Sequence, residues 1–358
     1  MATIELDLAH AYVPHPQSEA DYALLPMQAR FDDGGAYALL GPSGCGKTTM
    51  LNIISGLVAP SQGTVRFDGV DVTRATPQAR NIAQVFQFPV IYDTMTVGQN
   101  LAFPLRNRKV PENQIRERVG RIAEMLEMSH QLDQRAANLS ADAKQKISLG
   151  RGLVRSDVSA VLFDEPLTVI DPHLKWSLRR KLKQIHLELG LTLIYVTHDQ
   201  VEALTFAEQV LVMSRGRIVQ KGTPEALFER PSHTFVGHFI GSPGMNFLPV
   251  TVHDGVLLVG EQRLPAPLLS ALPQGSIKLG IRPEYVELVD VARPGVLAGV
   301  VTQIQHIGTS QLLSARVGDT LIKAHVPLYQ TLPEPGEPVY LNVLGDHTCF
   351  YCNEELVA

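Results

Sequence analysis

Cysteine is scarce, with three in 358 residues, so no disulfide framework is available and a reducing compartment is indicated. Cys349 and Cys352 form one C-x-x-C in an apolar stretch. A zinc site needs a second ligand pair at suitable spacing, which His347 alone does not supply. They read as buried strand cysteines. Long apolar runs are also missing: none reaches the ~18 residues of a membrane-spanning helix. The stretch Met1 to Leu8 alternates like a strand and lacks the basic start and apolar block of a signal peptide. The expectation is a cytoplasmic chain that serves any membrane from its surface, through partners. Basic excess is absent too. Lys and Arg number 31 against 36 Asp and Glu, a formal net charge of −5, which argues against nucleic acid as a partner. What remains, 45% hydrophobic and 19% charged residues, is ordinary for a globular protein, and the length favours two domains.

Against that background one segment stands out. Gly41, Pro42, Ser43, Gly44, Cys45, Gly46, Lys47 and Thr48 spell Gly-x-x-x-x-Gly-Lys-Thr. They lie between an apolar run, Ala36 to Leu40, and a helical stretch from Thr49 to Ser55. That is the setting a phosphate-binding loop requires. The glycines let consecutive N–H groups turn toward one point. The helix start behind them adds unpaired donors and the positive end of its dipole. Lys47 reaches the outer phosphates and the Thr48 hydroxyl ligates Mg²⁺. Residues 41–49, Thr49 included, form the expected nucleoside triphosphate site. Cys45 fills a variable loop position, with no histidine arranged beside it to make it catalytic.

Along the chain, residues 63–69 read as a strand closed by Asp68 and Gly69, and residues 81–86 as another ending at Gln87. The pattern from about residue 96 to 154 is helical. Residues 159–163 and 191–197 are continuous apolar runs, expected of strands buried on both faces, with a helix from 174 to 189 between them. This alternation predicts an α/β fold with a mostly parallel sheet. Beyond residues 231–249 come short strands with frequent Gly and Pro, predicting a small all-β module, read as a barrel. The boundaries are set at 1–235 and 236–358, with a helical subdomain at about 88–155.

A second cluster sits at Asp164 and Glu165, two acids ending a buried strand, the edge where ligands bind in parallel sheets. Asp164 is placed to hold Mg²⁺ through water and Glu165 to polarise the attacking water. Without the loop at 41–49 they would read equally well as solvated acids stopped by Pro166. His198 follows the next apolar strand, in reach of a γ-phosphate; a lone histidine there is usually a surface or capping residue. The order of loop, Gln87, Asp164 and Glu165, then His198 carries more weight than any member.

That order resembles the ATP-binding subunit of an ABC importer, closest to the carbohydrate and polyol branch with maltose-, glycerol-3-phosphate- and glycerol-type members. The match spans essentially the whole chain. Residues 41–49 look like Walker A, Val85 to Gln87 like the Q-loop, Leu162 to Pro166 like Walker B, Ile170 and Asp171 like the D-loop end, and Val196 to His198 like the switch histidine. Residues 241–248 and 279–284 resemble the junction and the OB-like regulatory domain of that branch. The resemblance implies ATP and Mg²⁺ as cofactors, with Gln87 among the metal ligands, Tyr12 stacked on adenine and Ser140 touching the nucleotide of an opposing subunit. It implies two permease subunits whose coupling helix meets Phe88 to Tyr92, a solute-binding protein acting indirectly, and a place on the cytoplasmic face of the inner membrane.

One departure matters. The family's signature loop reads Leu-Ser-Gly-Gly-Gln, whereas here Leu139 and Ser140 are followed by Ala141, Asp142 and Ala143. The missing glycines would let backbone approach the γ-phosphate. Asp142 adds a like charge, costing about 1 kcal/mol at ~4 Å in water and several in a protein-like dielectric. Lys47, Gln87, Asp164, Glu165 and His198, which act within the subunit, are intact. The expectation is a transport ATPase paired with a second, different ATPase, for which a polyol importer is a sensible setting. A homodimer with tolerated drift and a low-turnover ATP-binding clamp are the alternatives. A repair or translation ATPase would want two cassettes or a long coiled coil, and a P-loop kinase would explain neither Gln87 and His198 nor the C-terminal strands.

Overall fold

The computed structural model describes residues 2–253, 256–265 and 275–357, and the chain divides into two compact units, Met1–Pro224 and Glu225–Ala358. In the first unit, β1 (Ile4–Ala11), β2 (Tyr22–Phe31), β4 (Gln62–Phe67) and β5 (Val70–Asp71) form an antiparallel sheet in the order β2-β1-β4-β5. The alternation expected from residue 1 onward appears in β1, although Met1 itself lies outside the described residues. The second sheet contains β3 (Ala36–Leu40), β6 (Ile82–Val85), β7 (Ala160–Asp164), β8 (Leu193–Thr197), β9 (Gln209–Ser214) and β10 (Arg217–Gly222), ordered β10-β9-β3-β8-β7-β6. All its pairings are parallel except β9 with β10. Every residue of β3 and β8 is buried, as continuous apolar runs require when helices cover both faces. Leu39, Leu162, Ile194, Val196 and Leu211 join Met50, Ile53 and Ile54 of α1 (Lys47–Ser55) in one core.

Helix ends follow local chemistry. α1 starts behind Gly46 and stops at Gly56, whose left-handed backbone lets its N–H close the last turn. Short α2 (Pro77–Arg80) follows, capped by Thr76. The helical subdomain contains α3 (Val97–Arg106), opened by a Thr96–Gln99 capping box, α4 (Glu112–Met125), and α5 (Ala141–Leu153), capped by the Ser140 hydroxyl. Asp171 caps α6 (Pro172–Leu189), which stops at Gly190, and Asp199 caps α7 (Gln200–Phe206).

The second unit holds α8 (Pro224–Glu229) and α9 (Thr234–Phe239), followed, among the described residues, by eleven strands. One sheet is β13 (Gln262–Pro265), β12 (Val256–Val259), β11 (Asn246–His253), β14 (Ile277–Ile281), β20 (Cys349–Cys352) and β21 (Glu355–Leu356), in that order. The other is β15 (Glu287–Val289), β19 (Pro338–Asn342), β16 (Leu297–His306), β17 (Ser310–Val317) and β18 (Thr320–Pro327). Both sheets supply one core, including Leu248, Leu279, Leu313, Ile322 and Leu341. The small all-β module expected from the sequence is present, built among the described residues of two sheets around this shared core. The unit's two helices are tied to the strands by Arg282, just past β14, which binds their carbonyls, and by Tyr285, which donates to Glu229. Cys349 and Cys352 are buried in β20.

Candidate active site

Because β3, β6, β7 and β8 run parallel, the segments that follow them emerge at one edge of the sheet. The loop after β3 is built on close approach. A Cβ at Gly41 would lie 2.3 Å from the Met213 carbonyl oxygen. Gly46 has φ +103°, and a Cβ there would lie 2.6 Å from the Ala23 carbonyl. No L side chain fits either demand, so Gly46→Ala is expected to abolish ATP binding and lower the melting temperature, read by calorimetry and thermal denaturation. Pro42, Ser43 and Gly44 are exposed at the turn, and Cys45 is buried beneath it, where burial pushes its thiol pKa up.

Lys47 is almost wholly buried, its Nζ donating to the carbonyls of Gly41 (2.8 Å) and Pro42 (2.9 Å). It thus follows the loop's inner curve. Thr48 Oγ1 donates to Asp164 Oδ1 at 3.3 Å, joining loop and β7 across 116 residues of sequence. Burial raises the Asp164 pKa above the usual carboxylate value, with Thr48 and Lys47 opposing the rise. Tyr12 stands exposed just past β1, its hydroxyl 3.1 Å from Thr49 Oγ1.

Glu165 is the hub. Gln87 Nε2 donates to its Oε2 at 3.4 Å, Thr168 Oγ1 donates to the same oxygen at 3.3 Å, and His198 Nδ1 lies 3.1 Å from Oε1. Its backbone adopts φ 46°, the left-handed region, and its N–H donates to Val196 O at 3.0 Å. A non-glycine residue held there signals a position fixed by its surroundings. Gln87, Glu165 and His198 are thus brought together, as are Lys47, Thr48 and Asp164. The donor set suits a triphosphate with a divalent ion: backbone N–H groups and a lysine for phosphate, hydroxyl, carboxylate and amide oxygens for a hard cation.

Ser140 is exposed, and its hydroxyl accepts from Ala143 N–H at 3.3 Å. Asp142 lies in the first turn of α5, where a carboxylate favours the helix by opposing its dipole. The same charge offsets the attraction that this helix end would have for phosphate.

Two residues escaped sequence reasoning. Glu202 is buried and accepts from Tyr195 Oη (3.0 Å) and Thr197 Oγ1 (2.9 Å), with Lys175 Nζ 3.4 Å away. Burial, with that carboxylate beside it, pushes the Tyr195 phenol well above its usual range, so it remains a donor. Glu202 thereby ties the turn carrying His198 to α6. The spacing Asp199-x-x-Glu202, a helix-start signature, was the available signal. Gln145, buried in α5, donates to Pro166 O at 2.6 Å, linking the signature segment to Glu165's neighbour; nothing local distinguishes it in sequence.

A P-loop embedded in a parallel sheet, with paired acids at the same sheet edge on β7, one strand removed from β3, defines a nucleoside triphosphatase. Residues 24–168 match the ABC transporter family, residues 241–286 the MalK OB fold domain and residues 279–350 the TOBE domain. The chain is 38% identical to the sn-glycerol-3-phosphate import ATP-binding protein UgpC of Chromohalobacter salexigens, over 92% of this chain and 86% of that one. It is 42% identical to UgpC of Paracoccus denitrificans over 77% of each. The trehalose/maltose import ATP-binding protein MalK of Thermococcus litoralis is 40% identical, over 83% of this chain and 84% of that one. Among solved structures, cbiO1 of Clostridium perfringens, part of the ABC transporter complex cbiONQ, covers 64% of this chain and 90% of its own at 27% identity and a TM-score of 0.57. The chain belongs to the ABC transporter family, among the ATP-binding subunits of carbohydrate and polyol importers, and is an ATPase coupled to transport.

Proposed function

We propose that this chain energises uptake of a polyol or sugar, with glycerol-3-phosphate or glycerol the favoured cargo, from the cytoplasmic face of the inner membrane. The observation that carries the chemistry is the convergence of Gln87 and His198 on Glu165, beside the Thr48–Asp164 contact. In this reading Lys47 and the loop N–H groups bind the β- and γ-phosphates of ATP. Thr48, Gln87 and Asp164 would hold Mg²⁺, which when bound would neutralise charge on the phosphates. Glu165 accepts a proton from the attacking water, His198 orients Glu165 and the γ-phosphate, and Tyr12 stacks on adenine. The UgpC relatives support the cargo class. Permease subunits dock at Phe88 to Tyr92. There Phe88 and Val90 are exposed, and Arg151 stacks on Tyr92 at 4.8 Å, bracing the segment. Exposed apolar clusters of this kind suit a partner helix. A solute-binding protein acts through those permeases.

The departure at Ala141 and Asp142 supports an unequal pair, in which a different ATPase supplies the signature loop facing this chain's phosphate loop. The test is Mg²⁺-dependent phosphate release by the isolated chain and by the double variant Ala141→Gly, Asp142→Gly. The isolated chain is expected to turn over slowly and the double variant about tenfold faster or more, as removal of one close like-charge contact predicts. Full turnover by the isolated chain, unaltered in the variant, would establish a homodimer instead.

A further inference from the structure

Beside the nucleotide loop lies a buried histidine that the mechanism does not use. His10, near the end of β1, is 6% exposed. The pairing of β1 with β2 is irregular on both sides of it, between Leu8 and His10 and between His10 and Ala11. Such irregularities re-aim side chains. Here the inward–outward alternation of β1 breaks, and Leu8, Ala9, His10 and Ala11 are all buried.

The hydrogen bonds fix the position of the ring. Ser61 Oγ accepts from Ala11 N–H at 3.1 Å and donates to Ala11 O at 2.9 Å. The same hydroxyl lies 3.2 Å from His10 Nδ1, which holds the ring against Ser61. Nε2 is buried and without a partner among the described residues. Burial lowers the His10 pKa, keeping the ring neutral. An unsatisfied buried nitrogen is costly to keep, and the ring's remaining contact indicates what it is kept for. It meets Tyr12 edge to face, with centroids 4.6 Å apart and planes at 84°. At its other end the Tyr12 hydroxyl lies 3.1 Å from Thr49 Oγ1, and the residue is 66% exposed.

We infer that His10 is the positioning residue for the nucleobase: clamped by Ser61, it fixes the plane of Tyr12 as a preformed adenine platform. This rests on the reading of Tyr12 as the stacking residue. Without the imidazole, Tyr12 is free to turn about its side-chain bonds, and base binding bears the cost of ordering it. The phosphates, held by residues 41–49, are unaffected.

The test compares binding of ATP and of inorganic tripolyphosphate to the full chain by calorimetry. His10→Ala is expected to weaken ATP about three- to tenfold, the range for losing one aromatic contact, and to leave tripolyphosphate unchanged. His10→Phe, which restores an aromatic edge, recovers most of the ATP affinity. Tyr12→Ala weakens ATP likewise, and adding His10→Ala to it produces no further loss. Should His10→Ala not fold, His10→Gln carries the same comparison, since it keeps a hydrogen-bonding group for Ser61 and removes the ring. If Tyr12→Ala leaves ATP affinity intact, the stacking reading fails and takes the inference with it. If Tyr12→Ala weakens ATP while the His10 variants do not, the inference alone is overturned. Equal loss of ATP and tripolyphosphate in the His10 variants would reduce His10 to a structural residue and also overturn it.

Discussion

Glu165→Gln is expected to lower steady-state ATP hydrolysis about 10²- to 10⁴-fold, the usual range for removing a positioned base, while ATP binding persists. The amide is nearly isosteric and still accepts from Gln87 Nε2 and Thr168 Oγ1, which reach one oxygen of Glu165. What it loses is the charge that faces His198 Nδ1 and the capacity to take a proton. The backbone that aims the side chain, held at φ 46° by the N–H bond to Val196, is untouched. The phosphate loop lies on β3, a different strand, so the variant should bind nucleotide as the parent does and stall with ATP unhydrolysed. Phosphate release at saturating Mg²⁺ and ATP, beside a binding isotherm for each protein, separates the two effects. Turnover within threefold of the parent would remove Glu165 from the chemistry and favour a clamp in which hydrolysis is incidental. Coupled uptake in reconstituted vesicles should fall in parallel, because import is driven by the hydrolytic cycle.

The parts of this site that were legible in the sequence are those whose chemistry is local. Residues 41–48 announce themselves because a glycine loop, a lysine and a hydroxyl must follow one another at fixed spacing to surround phosphate. Asp164 and Glu165 were legible once that loop was known, because a buried strand ending in two acids has few other purposes beside a triphosphate. Gln87 and His198 were visible only through their order along the chain; the structure adds that both reach the same carboxylate. Glu202, Gln145 and His10 were not legible. Each acts through a partner remote in sequence or through burial, and a glutamate, a glutamine or a histidine read alone is more often a solvated surface residue. The strand count of the C-terminal unit was approachable from its Gly and Pro punctuation. Its division into two sheets was not, since register between distant strands leaves no periodic trace. The contacts that tie α8 and α9 to the strands, Arg282 and Tyr285 among them, are remote in sequence, and nothing in that arginine's neighbourhood marks it as buried.

That arginine supports the second large effect. Arg282 is 1% exposed, and its guanidinium is divided among the carbonyls of two helix ends. Nε donates to Phe228 O at 2.6 Å, one terminal nitrogen to Leu227 O at 3.3 Å, and the other to Gly237 O at 3.4 Å and, more closely, to Ile240 O. Its carbon lies 4.0 Å from the centre of the Phe228 ring. Leu227 and Phe228 belong to the last turn of α8, and Gly237 and Ile240 to the last turn and cap of α9, where carbonyls have no partner within the helix. One cation thus satisfies four acceptors and opposes two negative helix ends. Burial lowers its pKa, yet a guanidinium keeps its charge there. Arg282→Leu would strip the Leu227, Phe228 and Ile240 carbonyls of this donor, at about 1–3 kcal/mol for each one that water cannot reach, while Gly237 O keeps its bond from Met245 N–H. A net loss of about 3–5 kcal/mol is expected, as for other broken buried polar networks. Arg282→Lys should recover only part, because an ammonium has three donors and no planar fork. Since the chain forms two compact units, the loss should be confined to one of them. Denaturation of the full-length variant is expected to split into an early transition, followed by near-ultraviolet dichroism of the C-terminal aromatics, and a later one that nucleotide still shifts upward. A single transition at the parent's midpoint would mean that α8 and α9 are held by their apolar contacts and that the arginine is dispensable.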